Sequence, residues 1–408
     1  MRDKIKFLVY LITIMTLTYS GTAFSHDLSL NECDAPWTNA KNIIFMVPDG
    51  MGLANVTAAR IFQNGPDGKM LFFETLPQIG YQKTHSRNST VTDSAAAAAA
   101  WACGEKFNNN EISCHDNDGD KFCDSNGSPE TILELAKKKG KSTGLVATST
   151  ITHATPAVWA AHVHYRNCET EIARQYVEVT GVDVLLGGGI GPNQSGKNCE
   201  QYLGQDMSAV ITSAVNSGYE HVTTKSAMGA AIAAGKNKIL GLFNSGGKTP
   251  ETYRVDPAYS WNPDEPTLPE MTAAALDMLE EDKDGFFLMV EGSQIDWANH
   301  ANDLKYQIGE TLSFDEAVKL VLDWVNKKPL RKATTLVIIV ADHDCGGFAV
   351  NGPNGTLSAA GDLVTAGWTS LDHTAGETII WSQGPGSNCL GKAVDNTYLY
   401  QVMQQVLK

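Results

Sequence analysis

The chain has 408 residues, enough for one large α/β domain or two smaller ones. Its apolar fraction of 42 % is ordinary for a globular protein, and its charged fraction of 19 % is slightly low. The formal net charge of -15 argues against a nucleic-acid-binding protein, which needs a basic face, and means that any attraction for an anionic substrate is local, from bound cations and a few arginines.

The N-terminal segment reads as an export signal. Arg2, Lys4 and Lys6 form a basic head, Phe7 to Leu17 is apolar, and Ala23-Phe24-Ser25 resembles a cleavage site. Residues 1–25 are therefore expected to be removed, leaving one domain over residues 26–408 that starts near His26. The apolar stretch is short for a membrane span and no later run is long enough, so no transmembrane anchor is expected after cleavage. Export to a periplasmic or extracellular compartment makes the eight cysteines candidates for disulfides. Cys114 and Cys123 are close enough to clip one loop, and Cys168 and Cys199 could close a longer one. Sequence cannot pair Cys33, Cys103, Cys345 and Cys389. None sits in a CxxC or CxxxxH arrangement, so cysteine-ligated zinc is not expected.

The first buried strand is expected over Ile43–Val47, running into Pro48-Asp49-Gly50. Thr92-Asp93-Ser94 then precedes Ala95–Ala100 and Trp101. Poly-alanine is a strong helix former, so Ser94 sits at or just inside a helix N-terminus, where free N–H groups and the dipole favour negative charge. The bland alternative is that Asp93 or Ser94 is only an N-cap. Next, Cys114-His115-Asp116-Asn117-Asp118-Gly119-Asp120-Lys121-Phe122-Cys123-Asp124 alternates aspartates around a glycine. This Cys/Asp-rich loop over 114–124 is similar to calcium loops of extracellular repeat modules, with Asp116, Asp118, Asp120 and Asp124 as Ca²⁺ ligands. It fails the EF-hand pattern, because Gly119 comes one place early and no glutamate closes it. A solvated acidic loop stapled by cysteines is the alternative.

Ser128-Pro129-Glu130 supplies an N-cap, an N1 proline and a first-turn acid, which predicts a helix to about Lys139 that Gly140 ends. A strand near Thr143–Thr148 leads into His153, Thr155 and Arg166. Thr155 can give a hydroxyl to a hard metal, and Arg166 offers a bidentate fork for phosphate oxygens. His162 and His164, in the same stretch, read as structural. Further strands are expected near Asp183–Leu186, Lys238–Leu242 and Thr378–Trp381, and a helix over Glu270–Glu280. Ser245–Pro269, rich in Gly and Pro, reads as a surface excursion beside the site. Phe286–Val290 runs into Glu291, Asp296 and His300, with Asp296 and His300 at i and i+4 on one helical face. Leu336–Val340 runs into Asp342-His343, and His373 adds an imidazole in a loop of small residues.

Alternating strand and helix signals favour a doubly wound, mostly parallel central sheet with helices on both faces. In such sheets, sites form beyond the carboxyl ends of the strands. Asp49, Glu291, Asp296, His300, Asp342 and His343 are thereby delivered to one edge. Carboxylate with imidazole is a Zn²⁺ ligand set, and carboxylate alone suits Mg²⁺. A serine at a helix N-terminus facing zinc is a candidate metal-activated nucleophile.

Six motifs follow one another from about residue 41 to 376: Val47-Pro48-Asp49-Gly50-Met51-Gly52, Thr92-Asp93-Ser94-Ala95-Ala96, His153-Ala154-Thr155-Pro156 with Arg166, Glu291-Gly292-Ser293-Gln294-Ile295-Asp296 with His300, Ala341-Asp342-His343-Asp344, and His373-Thr374. In these residues the chain resembles the alkaline phosphatases, metal-dependent phosphomonoesterases. The resemblance implies hydrolysis of small-molecule phosphate monoesters through a phosphoserine on Ser94, with Arg166 clamping phosphate. It implies one zinc held by Asp296, His300 and His373. A second would be held by Asp342 and His343, with Asp49 bridging towards a magnesium ion that Thr155 and Glu291 complete.

Two positions depart from one bacterial branch. His153 stands where that branch has an aspartate near magnesium, and Trp297 stands where it has a lysine after the zinc aspartate. The departures, similar to those of marine bacterial members, bear on the third metal and on phosphate retention. Larger members carry an insertion often used in dimer contacts. The region between Asn193 and Pro269 offers little room for one, so a compact catalytic domain is expected, with a homodimer left open. Rival readings are a sister phosphodiesterase or sulfatase, or a non-catalytic surface binding protein using the aspartate loop. Ser94-Ala95-Ala96-Ala97-Ala98 lacks the C/S-x-P-x-R setting of sulfatases, a diesterase usually offers threonine as nucleophile, and the intact metal set argues against a binding protein.

Overall fold

Strands whose side chains are buried on both faces need apolar residues at every position, and three runs meet that demand. β1 (Asn42–Pro48) is buried throughout, and so are two strands far along the chain, Phe286–Gly292 and Thr335–Val340. In the computed structural model, which describes Cys33, residues 37–189, Cys199 and residues 207–407, these three lie side by side. The segment read as a signal peptide and the expected start near His26 lie outside the described residues.

Seven more strands complete a ten-stranded sheet. In chain order they are β2 (Gln78–Lys83), β3 (Ser142–Thr150), β4 (Val184–Gly188), β5 (Glu220–Val222) and β6 (Ile239–Leu242). After β7 (Phe286–Gly292) and β8 (Thr335–Val340) come β9 (Thr378–Gln383) and β10 (Ala393–Asp395). The spatial order is β10-β2-β9-β8-β1-β7-β3-β4-β6-β5. β1 pairs in parallel with β7 and β8, with Val47 opposite Glu291. Only β9 runs against its neighbours, β2 and β8. The expected strands near 143–148, 183–186, 238–242 and 378–381 are β3, β4, β6 and β9.

Helices cover both faces, as expected. On one face the alanine helix Ser94–Cys103 packs into a cluster with Phe45, Trp159 and Phe287. On the other, Leu268–Leu279 and the long Leu304–Asn326 helix pack against Ile44, Leu288 and Val337. The small alanine side chains let this helix sit close on the sheet, and all its residues are buried.

Two local expectations are corrected. The helix after residue 128 begins at Ile132, capped by Thr131 rather than Ser128. Thr131 Oγ1 accepts from Glu134 N at 3.1 Å, and Glu134 Oε2 accepts from Thr131 N at 3.0 Å. This reciprocal box satisfies two end donors where the Ser-Pro-Glu signal satisfies one. The excursion over Ser245–Pro269 contains a short helix, Glu251–Val255, and its last two residues already belong to the Leu268–Leu279 helix.

Disulfides join Cys114 to Cys123 and Cys168 to Cys199, and Cys33, left open by sequence, pairs with Cys389. Cys103 and Cys345 are buried free thiols. Among the described residues no helix is long and apolar enough to cross a membrane.

Candidate active site

The carboxyl ends of β1, β7 and β8 converge. Asp49, Glu291, Asp342 and His343 there have no solvent exposure. Gly50 turns the chain at φ +70, and a Cβ at this position would lie 2.7 Å from Asp296 Oδ1. Only glycine lets β1 approach that carboxylate so closely. The Gly50 and His343 N–H groups both donate to Asp342 Oδ1 at 3.1 Å, so the Asp342 carboxylate is aimed by the main chain.

After β7, the turn into the helix Gln294–His300 places Asp296 and His300 one turn apart, with His300 Nε2 3.3 Å from Asp296 Oδ2. His373 arrives from far along the chain because His373–Thr374 pairs with Asp344–Cys345, just beyond β8. Its Nε2 is 3.5 Å from Asp296 Oδ1. His373 Nδ1 donates to Thr92 O at 2.9 Å and His300 Nδ1 to Leu371 O at 2.5 Å. A carbonyl can only accept, so both rings carry a proton on Nδ1 and turn Nε2 towards Asp296. Once Nε2 is free of its proton, that is the tautomer a metal ligand needs.

Three groups of ligand atoms form, each with its atoms within 4.8 Å of one another. Asp296, His300 and His373 make one, with the unexpected addition of Cys345. Asp49, Asp342 and His343 make the second. Asp49, His153 and Glu291 make the third, so Asp49 is shared. Buried oxygens without a hydrogen-bond partner include both of Asp49 and of Glu291, one each on Asp296 and Asp342, and the Thr155 hydroxyl. Buried polar atoms normally find partners, and so many orphans in one place fit divalent cations. Every residue expected as a zinc or magnesium ligand is here.

The charges point the same way. Burial, with the charges of Asp342, Asp296 and Glu291, raises the Asp49 carboxyl well above its ordinary range. Burial, with Asp342 adding, raises Glu291 to about 7. A hydrogen bond to Asp296 lifts His300 to about 9. Burial and then the charge of His343 push His373 down to about 4. Carboxylates that cannot all ionise in one dry space are relieved by a cation.

Ser94 opens the helix Ser94–Cys103, and its Oγ is 3.2 Å from His343 Nε2. Asp93 is the N-cap, accepting from Ala96 N at 3.0 Å through Oδ1. Its other oxygen accepts from Arg166 Nη1 at 2.9 Å. Asp93 therefore caps the helix, as one of the readings weighed for this turn expected, and also holds the guanidinium. Arg166 Nη2 lies 3.2 Å from His153 Nε2. Burial, then the Arg166 charge, drops His153 to about 3, so its Nε2 is a neutral acceptor for Arg166. Trp297 meets the His153 ring edge-on at 6.1 Å between centroids. Its indole rests on Gly247, where a Cβ would come within 2.5 Å.

The acidic loop behaves differently. Asp116, Asp118 and Asp124 bring carboxylate oxygens together, but Asp120 does not join them. Its Oδ1 instead accepts from Phe122 N at 2.8 Å, closing a local turn. His162 is structural, with Nδ1 donating to Ser113 O at 2.6 Å and Nε2 3.1 Å from Glu134 Oε1.

Sequence reasoning missed Asp93 as the link between Ser94 and Arg166, and Cys345 beside the Asp296 group. The N-cap position just before Ser94 was a usable signal for Asp93; nothing local marked Cys345. A cavity of about 890 Å³ lies elsewhere, on an apolar face with Phe62, Val255, Ile308 and Leu363.

The family model for alkaline phosphatase matches residues 40–361. Alkaline phosphatase 3 of Bacillus subtilis is 37 % identical over 344 residues, covering 82 % of this chain and 67 % of that protein. Alkaline phosphatase 4 of the same organism is 33 % identical over 446 residues, covering 90 % and 89 %. The solved alkaline phosphatase from the Antarctic bacterium TAB5 superposes with a TM-score of 0.73 at 28 % identity, covering 91 % of this chain and 99 % of that one. That of Thermus thermophilus gives 0.75 at 26 %, covering 91 % and 92 %. Matches of this extent, meeting a strand-end cluster of buried carboxylates and imidazoles, place the chain in the alkaline phosphatase family of metal-dependent enzymes that act on phosphate monoesters.

Proposed function

We propose that this protein hydrolyses phosphate monoesters through a phosphoserine on Ser94. The observation that carries the reading is the set of buried, unpartnered oxygens of Asp49, Glu291, Asp296 and Asp342 beside the Ser94 hydroxyl at a helix N-terminus. Asp296, His300 and His373 would hold one Zn²⁺. Asp342 and His343, with Asp49, would hold a second. Asp49, Glu291 and Thr155 would hold a third ion, Mg²⁺. Bound there, the metals supply positive charge that acidifies the serine hydroxyl and the attacking water and steadies the leaving oxygen.

In the first step the Ser94 Oγ–P bond forms and the P–O ester bond breaks. The alcohol leaves with a proton. In the second, a water oxygen bonds phosphorus, the Oγ–P bond breaks, and inorganic phosphate departs. Arg166 holds two equatorial oxygens of the phosphoryl group while Asp93 fixes the guanidinium plane. His153 and Trp297 line the phosphate side of the site.

The reading extends to the whole chain: a signal peptide over 1–25, then one exported catalytic domain over 26–408. Three disulfides in the structure support an oxidising compartment. Metal analysis of purified protein, with turnover of an aryl phosphate monoester and of the matching diester, tests the activity. Zinc-dependent monoester turnover is expected. Preference for the diester would overturn the substrate class, and no turnover in zinc-loaded protein would overturn the enzyme reading.

A further inference from the structure

Three consecutive residues, Thr92 to Ser94, carry separate duties at the site. The Thr92 carbonyl orients the His373 ring, Asp93 caps the helix and holds Arg166, and Ser94 presents its hydroxyl. Yet residues 91–93 lie in no helix or strand. The main-chain groups on either side of Thr92 go to one side-chain amide. Asn109 Oδ1 accepts from Asp93 N, and Asn109 Nδ2 donates to Val91 O, each at 3.2 Å. One amide thus imitates a neighbouring strand, offering an acceptor and a donor in the right order. The next residue, Asn110, is in the left-handed region at φ 77. Its N–H donates to Asp93 Oδ2 at 3.0 Å, and its carbonyl accepts from Arg166 N at 2.8 Å. The turn is pinned by buried Glu111, which accepts from Asn108 N at 2.7 Å and from Asn108 Nδ2 at 2.8 Å.

We propose that Asn109 is a positioning residue for the reaction, setting the place of residues 91–94. Through that segment it sets the nucleophile, the Arg166–Asp93 pair and the His373 ring. The inference rests on the reading of the site given above. Asparagine is the fitting residue, because the position needs a donor and an acceptor on one planar group. Aspartate would set a second acceptor against the Val91 carbonyl. A misplacement of the order of 1 Å, remote from the reacting atoms, costs roughly 100-fold in rate.

Asn109→Ala, in metal-loaded protein, tests the clamp through kcat/KM for an aryl phosphate, the inhibition constant for inorganic phosphate, and Tm. We expect kcat/KM to fall roughly 10- to 100-fold and phosphate inhibition to weaken at least about threefold. The control is Ser113→Ala, which removes a buried hydrogen bond to Val158 O of 2.6 Å but touches none of residues 91–94. It should lower Tm as much and leave kcat/KM within about twofold. Asn109→Asp has the parent shape, so it carries the test if the alanine variant does not fold, and a loss of roughly tenfold or more is expected. Parent-like kcat/KM and phosphate inhibition in the folded Asn109 variant would overturn the proposal. So would an equal activity loss in Ser113→Ala, because the effect would then be general destabilisation. Absence of turnover in the metal-loaded parent protein is a separate result: it would overturn the reading of the site, and the positioning role with it.

Discussion

Two aspartate-rich regions of this molecule spend their carboxylates in opposite ways. In the 114–124 loop the aspartates face solvent or its margin and accept from the loop's own N–H groups. Asp116 takes Gly119 N at 2.8 Å and Lys121 N at 3.1 Å, and Asp118 takes Asp120 N at 3.1 Å. At the strand ends, Asp49 and Glu291 have no exposure and no hydrogen-bond partner for either oxygen. The same side-chain chemistry satisfies a loop's own N–H groups in one place and leaves its oxygens unpartnered in the other. Aspartate spacing alone does not distinguish the two; the supply of nearby N–H groups does.

The comparison can be broken most sharply at Ser94. Ser94→Ala should lower monoester turnover on the order of 10⁴-fold while zinc content stays at the parent level, and acid-quenched labelling with phosphate should tag Ser94 in the parent. A tag elsewhere would remove Ser94 from the chemistry. Next in size is the metal set. His300→Ala should weaken zinc binding by at least roughly 100-fold, more than the loss of a supporting partner costs.

Proton competition adds a pH dependence with a definite sign. In metal-free protein the hydrogen bond to Asp296 keeps His300 protonated up to about 9. Zinc must displace that proton, so zinc affinity measured by titration of stripped protein should rise from pH 6 to pH 9. A flat profile would show that His300 does not bind the ion. Smaller again is the effect of His153→Asp with Trp297→Lys. Each added charge-assisted hydrogen bond to phosphate is worth about 1.5–3 kcal/mol, so phosphate inhibition should tighten at least tenfold. The smallest effect belongs to the loop: Asp118→Ala should leave kcat/KM within about twofold, since its oxygen serves a turn and no strand end. Zinc loss in that variant would erase the distinction between the regions.

The strand ends were legible because buried parallel strands write themselves as unbroken apolar runs, and the first or second residue after each run is placed by the sheet. Asp49, Glu291 and Asp342 needed no more than that. His373 was legible as a residue type, but its route to the site depends on a two-residue pairing with Asp344–Cys345 that no periodicity marks. The cap at Thr131 was misread because two overlapping start signals competed, and the reciprocal box with Glu134 won. Asp120 was assigned with its neighbours because spacing does not say which carboxylate a nearby N–H will claim. Asn109 carries no signature, since its partners are main-chain groups sixteen and eighteen residues away.

The Cys33–Cys389 bond spans a separation of 356 residues. All ten strands except β10, at Ala393–Asp395, lie inside the ring that it closes. The exposed loop over 353–357 lies within that ring too. A protease that cuts this loop opens the ring without freeing a piece: the two fragments remain one particle, held together at the far ends. Cleavage would then be visible only after reduction, and the strand ends that carry Asp49, Glu291 and Asp342 would stay in one covalent body.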